Sequence, residues 1–145
     1  MAPLEVGDPL AHRALEALLR AESSLRRALS AELEAQGVSA AGFSALVVLT
    51  TAGGRLELRT LRRRLRWSKA NATEVTATLE GRGLLQRRRH ERDGRAVVVL
   101  LTPAGADLVE RVFPDHTRRV ALAFARLDET EKRSLTQLCR KLDAA

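Results

Sequence analysis

Apolar residues recur at helical spacing along most of this chain, and the pattern switches to strand-like runs in one stretch only. Leu15, Leu18, Leu25, Leu29 and Leu33 follow Asp8-Pro9, a capping residue ahead of a first-turn proline. They predict a long helix ending near Gly37. Ser39 can cap a second helix carrying Phe43, Leu46, Val47 and Val48 or Leu49, with Gly53-Gly54 as its stop. Leu58, Leu61 and Leu65 mark a short third helix. After the break at Trp67-Ser68, Ala72, Val75 and Leu79 mark the buried side of a fourth, from Lys69 to Arg82, closed by Gly81 and Gly83.

Strand formers then run from Leu84 to Glu91 and from Ala96 to Thr102, joined through Asp93-Gly94. With Asp93 and Gly94 as the two central turn residues, Arg92 and Arg95 stand opposite each other, a like-charge pair that an anion such as a phosphate would relieve. Thr102-Pro103 caps a fifth helix, which Pro114 is expected to kink or split. Asp128 to Glu131 reads as a capping box for a last helix bearing Leu135, Leu138 and Leu142.

The composition of the 145 residues, 45% hydrophobic and 30% charged, fits one domain able to bury a core. The single cysteine, Cys139, excludes an internal disulfide and a zinc site built from several thiolates. His12, His90 and His116 are scattered singly, so no metal site is expected. The chain lacks a Gly-rich phosphate loop, a Gly-x-Ser-x-Gly elbow and a His-Glu-x-x-His pair, and it is expected not to be an enzyme. Glu129 and Glu131 look paired, but acids in a first helical turn are favoured by the helix dipole. With no export signal and no apolar run of membrane-spanning length, a cytoplasmic protein without a membrane partner is expected.

Charge is the most uneven property. Thirteen of the 25 Lys and Arg, but only five of the 18 Asp and Glu, lie between Arg55 and Arg95, so that segment carries +8 and the other 104 residues −1. A basic block inside a patterned, folded stretch points to a polyanion, read here as duplex DNA. Helix, turn, helix and hairpin is the order of a winged helix-turn-helix, in which one helix enters the major groove and the preceding one braces the backbone. The inserted face would present Ser68, Lys69, Asn71, Thr73 and Glu74. The wing would present Arg92, Asp93 and Arg95, and phosphate contacts fall to Arg62, Arg63, Arg66 and Arg88. A non-specific RNA or single-strand binder is the alternative, but such surfaces use aromatic platforms on strands, whereas this chain has no Tyr and its Phe43, Phe113 and Phe124 fall in predicted helices.

Leu58-x-x-Leu61-x-x-x-Leu65, Trp67-Ser68-Lys69, Leu79-Glu-Gly-Arg-Gly83-Leu84, Asp93-Gly94-Arg95 and Leu101-Thr102-Pro103-Ala104-Gly105 together resemble the multiple-antibiotic-resistance regulator (MarR) family. The flanks Gly42-Phe43-x-x-Leu46 and Leu127-x-x-x-Glu131-x-x-x-Leu135-x-x-Leu138 extend the likeness over nearly the whole chain. The resemblance implies a mainly α fold with a small β-hairpin wing, in which residues 37–102 form the DNA-binding module and residues 8–36 and 103–145 supply dimerisation helices. It further implies a homodimer held through Leu15, Leu18, Leu135, Leu138 and Leu142, a pseudopalindromic operator and repression. Many members release DNA on binding a small phenolic or lipophilic effector; no cofactor is implied, and no effector-binding residue follows from the motifs. Two positions depart from the family pattern: Arg66 stands where glycine is common, and Glu74 where basic or amide residues are frequent.

Overall fold

A computed structural model describes residues 1–144. The last residue of the expected dimerisation segment, Ala145, lies outside the described residues. Six helices and three strands follow in the order α1 (Pro9–Ala35), α2 (Ala40–Thr51), β1 (Arg55–Glu57), α3 (Leu58–Leu65), α4 (Lys69–Gly81), β2 (Leu85–Arg89), β3 (Val97–Leu101), α5 (Pro103–Ala123) and α6 (Glu129–Asp143).

Every helix start with a capping residue in the sequence is capped by it. Asp8 accepts from the Leu10 and Ala11 amides, Ser39 from Gly42, and Thr102 from Gly105. Asp128 and Glu131 close a reciprocal capping box. The core gathers Leu33 and Val38 with Phe43, Leu46 and Leu49 of α2, Leu61 of α3, Leu79 of α4, Leu85 and Val99 of the sheet, and Leu108, Val109 and Val112 of α5. Leu46, Leu49 and Leu61 are fully enclosed, each contributing on the order of 2 kcal/mol relative to an exposed side chain. In α2 it is Leu49 that is buried, while Val47 and Val48 are half-buried.

The hairpin register is corrected, and two other expectations are refined. The wing is part of a three-stranded antiparallel sheet of order β1-β3-β2, in which Arg55, Leu56 and Glu57 pair with Leu100, Val99 and Val98. The hairpin closes one residue out of the expected register: Arg89 lies opposite Val97, and the turn places the Ala96 amide on the Asp93 carbonyl at 3.0 Å. Arg92 and Arg95 therefore do not face each other, and the like-charge conflict does not arise. Finally, α5 is not split; it runs through Pro114, where the Thr117 hydroxyl donates to the Pro114 carbonyl at 2.9 Å.

In α4 the buried side is Ala72, Thr76 and Leu79, with Val75 half-buried. Thr76 is tolerated there because its hydroxyl donates to the Ala72 carbonyl at 2.7 Å, which leaves its methyl for packing. Trp67, between α3 and α4, is half-buried and packs against the core. Arg119 of α5 pairs with Glu32 of α1, and His116 of α5 stands edge-on to Phe43 of α2 at 5.1 Å, which ties α5 to both of these helices.

Candidate nucleic-acid interface

Ser68 sets up the interface. Extended at φ −66° and ψ 160°, it accepts the Asn71 amide at 3.1 Å and so fixes where α4 begins. Lys69, Asn71, Thr73 and Glu74 follow, all exposed, while the intervening Ala72 is buried. The Thr73 hydroxyl donates to the Lys69 carbonyl at 3.0 Å, so its proton is engaged within its own helix.

The turn before α4 is made by Arg66, which ends α3 in the left-handed conformation at φ 55° and ψ 39° and is the one non-glycine residue with positive φ among the described residues. The Trp67 amide reaches back to the Arg62 carbonyl at 3.0 Å to close the helix end. A residue with a Cβ costs on the order of 1–2 kcal/mol in this conformation, which is the physical reason a glycine suits the position. The Arg66 guanidinium pairs with Asp143 at the end of α6.

The wing is organised by Asp93 and by His90, to which the sequence pattern gave no role. The His90 imidazole, through Nδ1, accepts the Arg92 and Asp93 amides at 3.2 and 3.3 Å. Asp93 Oδ1 accepts the Arg95 amide at 3.0 Å rather than a guanidinium. These bonds hold Arg92 and Arg95 exposed at the tip. Arg88 is exposed on β2, and its guanidinium donates to Gln86 Oε1 at 2.9 Å.

Arg87 differs from its neighbours. Its amide donates to Glu80 Oε2 at 2.8 Å, and its guanidinium spans Glu80 Oε1 at 3.1 and 3.2 Å. The backbone bond first, and then the guanidinium, hold the Glu80 carboxyl below its ordinary value. Glu80 thus ties the end of α4 to the edge of β2 and sets the wing's position relative to that helix. Gly83, at φ 73°, makes the reversal between them, a conformation that favours glycine. The signal for this clasp was present in the sequence as an acid at the end of a helix followed by a basic strand.

Between α3, α4 and the wing tip lies a groove of about 960 Å³, lined in part by Arg59, Arg62, Lys69, Thr73, Glu74 and Arg95. The structure therefore brings the fourth-helix residues Lys69, Thr73 and Glu74 together with Arg62 and with Asp93 and Arg95 of the wing. Arg63 is exposed on α3 outside this groove, and Arg66 is directed to α6.

Comparison with known proteins agrees with this architecture. The MarR family model matches residues 38–97, from just before α2 to the first residue of β3. The HTH-type transcriptional regulator YkoM of Bacillus subtilis is 32% identical over 105 residues, 72% of this chain and 68% of YkoM. The chain belongs to the MarR family. A second relative, the transcriptional repressor MprA of Escherichia coli, is 32% identical over 111 residues, and the match spans 76% of this chain and 63% of MprA. The structure of Bordetella bronchiseptica BpsR, whose DNA binding is regulated by 6-hydroxynicotinic acid, superposes with a TM-score of 0.79 at 26% identity and covers 90% of this chain and 98% of BpsR. With its helix-turn-helix and three-stranded sheet, this MarR family chain has a winged helix fold, and it spans just under two thirds of the length of MprA. Among its described residues, no single helix is long and apolar enough to cross a membrane.

Proposed function

We propose that this chain acts as a homodimeric repressor that binds a pseudopalindromic duplex operator sequence-specifically and is regulated by a small aromatic or lipophilic ligand. The observation that carries the reading is the juxtaposition of the exposed, Ser68-capped face of α4 with the cationic wing tip across one groove. Lys69, Asn71, Thr73 and Glu74 then meet base edges and nearby phosphates. Arg92 and Arg95, positioned by His90 and Asp93, reach the adjacent minor groove, while Arg62, Arg63 and Arg88 contact phosphates. Arg66 reaches phosphate only after leaving Asp143.

Dimerisation is supported by what the single chain leaves uncovered. No residue of α6 is buried, although Leu135, Leu138 and Leu142 form an apolar stripe along it. Leu15 and Leu18 of α1 and Leu122 of α5 are exposed as well. A second copy that covers these faces removes the cost, with residues 8–36 and 103–145 as the dimerisation part and residues 37–102 as the DNA-binding module. Two modules related by a two-fold axis read half-sites about 10 base pairs apart. Ligand regulation is supported by the likeness to BpsR.

Titration with a duplex and with single-stranded RNA of equal length, at several salt concentrations, tests the reading. Duplex preference with a log–log salt slope of about −7 is expected, from about four neutralised phosphates per subunit. Comparable affinity for both nucleic acids, or a slope near zero, would refute it in favour of a non-specific binder or none.

A further inference from the structure

We propose that Glu74 is the specificity-determining residue of α4 and reads a cytosine in each half-site; this rests on the duplex-DNA reading above. At about 100° per residue, Glu74 lies on the side of the helix opposite the buried Ala72 and Thr76 and projects directly away from the core. Its neighbours one turn away are Ala70, Asn71, Ala77 and Thr78, none of them charged. Among the described residues its carboxylate makes no ion pair. Other exposed acids on this chain do: Glu16, Glu22 and Glu129 each hold an arginine one turn along their helix.

An unpaired carboxylate at the centre of a cationic surface lowers attraction to phosphate. Once pressed against a base edge and desolvated, it carries a large penalty unless a donor meets it. In the major groove, guanine presents only acceptors and thymine an acceptor and a methyl, so both leave the carboxylate unsatisfied. Adenine offers one donor beside the N7 acceptor, which opposes the second carboxylate oxygen. Cytosine offers its N4 amine without that adjacent acceptor and is the base that satisfies the group. Ala70 and Ala77 leave space on both sides, and the Thr73 hydroxyl is already engaged with its own helix. Glu74 therefore acts by rejecting wrong bases more than by adding affinity.

The test is selection from randomised duplexes with the full chain as wild type, Glu74→Ala and Glu74→Gln, followed by titration on the selected site. The wild type should retain one C·G pair per half-site and lose about tenfold in affinity or more when it becomes T·A. Glu74→Ala should lose the preference at that position alone. Glu74→Gln should shift it towards adenine, because an amide pairs with both N6 and N7. All three proteins should share one circular dichroism spectrum, since only an exposed side chain changes. A wild type that binds duplex without a fixed cytosine, or a cytosine preference intact in Glu74→Ala, overturns the proposal. A wild type that binds no duplex overturns the underlying reading itself.

Discussion

Replacing Gly105 by alanine puts a methyl group where the main chain of another element already lies. Gly105 is buried in the first turn of α5, and a Cβ there would fall 2.1 Å from the Leu84 carbonyl oxygen and 2.8 Å from Leu101 Cδ1. The carbonyl is backbone and cannot rotate aside, so α5 must lift by about 1 Å to restore ordinary contact. That displacement strains the two hydrogen bonds that dock the helix start, from the Thr102 amide to Leu84 O at 3.3 Å and from the Thr102 hydroxyl to Gly83 O at 2.6 Å. Overpacking costs about 1–3 kcal/mol, and each weakened bond adds up to about 1 kcal/mol. The better helix propensity of alanine returns at most about 1 kcal/mol. The expected net loss is roughly 2–3 kcal/mol, read as a lower urea midpoint at unchanged slope and a fall in Tm of about 6–10 °C. Gly105→Ser should behave alike. An alanine variant within about 0.5 kcal/mol of the wild type would refute the close-approach argument.

The remaining expectations concern the interface and its supports. Glu80 has a lowered carboxyl pKa, so its stabilising contribution is present above the ordinary value of 4.5 and is lost as pH falls through the lower folded value. Glu80→Gln should flatten the dependence of the urea midpoint on pH in that acidic window, and an unchanged acid limb would contradict the clasp. Because Arg66 is left-handed, Arg66→Gly should be more stable than Arg66→Ala by about 1 kcal/mol, the reverse of the usual helix order; equal denaturation midpoints would show no strain there. Leu138→Glu should yield monomers in sedimentation equilibrium if the exposed α6 stripe is the self-association surface, whereas an intact dimer would relocate it. Arg95→Ala should weaken duplex binding by about 1–2 kcal/mol with an unchanged denaturation midpoint, and loss of folding would make the residue structural instead.

Which parts of this molecule were legible beforehand follows from how far apart the deciding atoms lie in the chain. Helix starts were readable because each capping oxygen meets an amide two or three residues away, as Ser68 meets Asn71 and Asp128 meets Glu131. The outward face of α4 was readable by elimination, since Lys69, Asn71, Thr73 and Glu74 have no apolar purpose. By contrast, β1 is three residues long and exists because Val98, Val99 and Leu100, more than 40 positions later, supply its partners. Only the alternation Arg55-Leu56-Glu57 after Gly54 hinted at it. The wing register escaped because Asp93-Gly94 looks like a two-residue turn, while the His90 imidazole and the Asp93 carboxylate bind the intervening amides and shift the closure by one residue. Arg66 shows both sides of the division. Its departure from glycine was visible in the motif and its positive φ follows from the helix end it occupies, but its pairing with Asp143, 77 residues away, depends on where α6 finishes. The same separation applies to recognition. Glu74 is placed outward by the period of its own helix, so under the proposed function a base preference carried by it depends on few residues, whereas the angle at which it would meet DNA depends on the wing, the Glu80–Arg87 clasp and the proposed second copy. Glu74 variants should therefore change which base is chosen, and Glu80 variants should weaken all sequences alike.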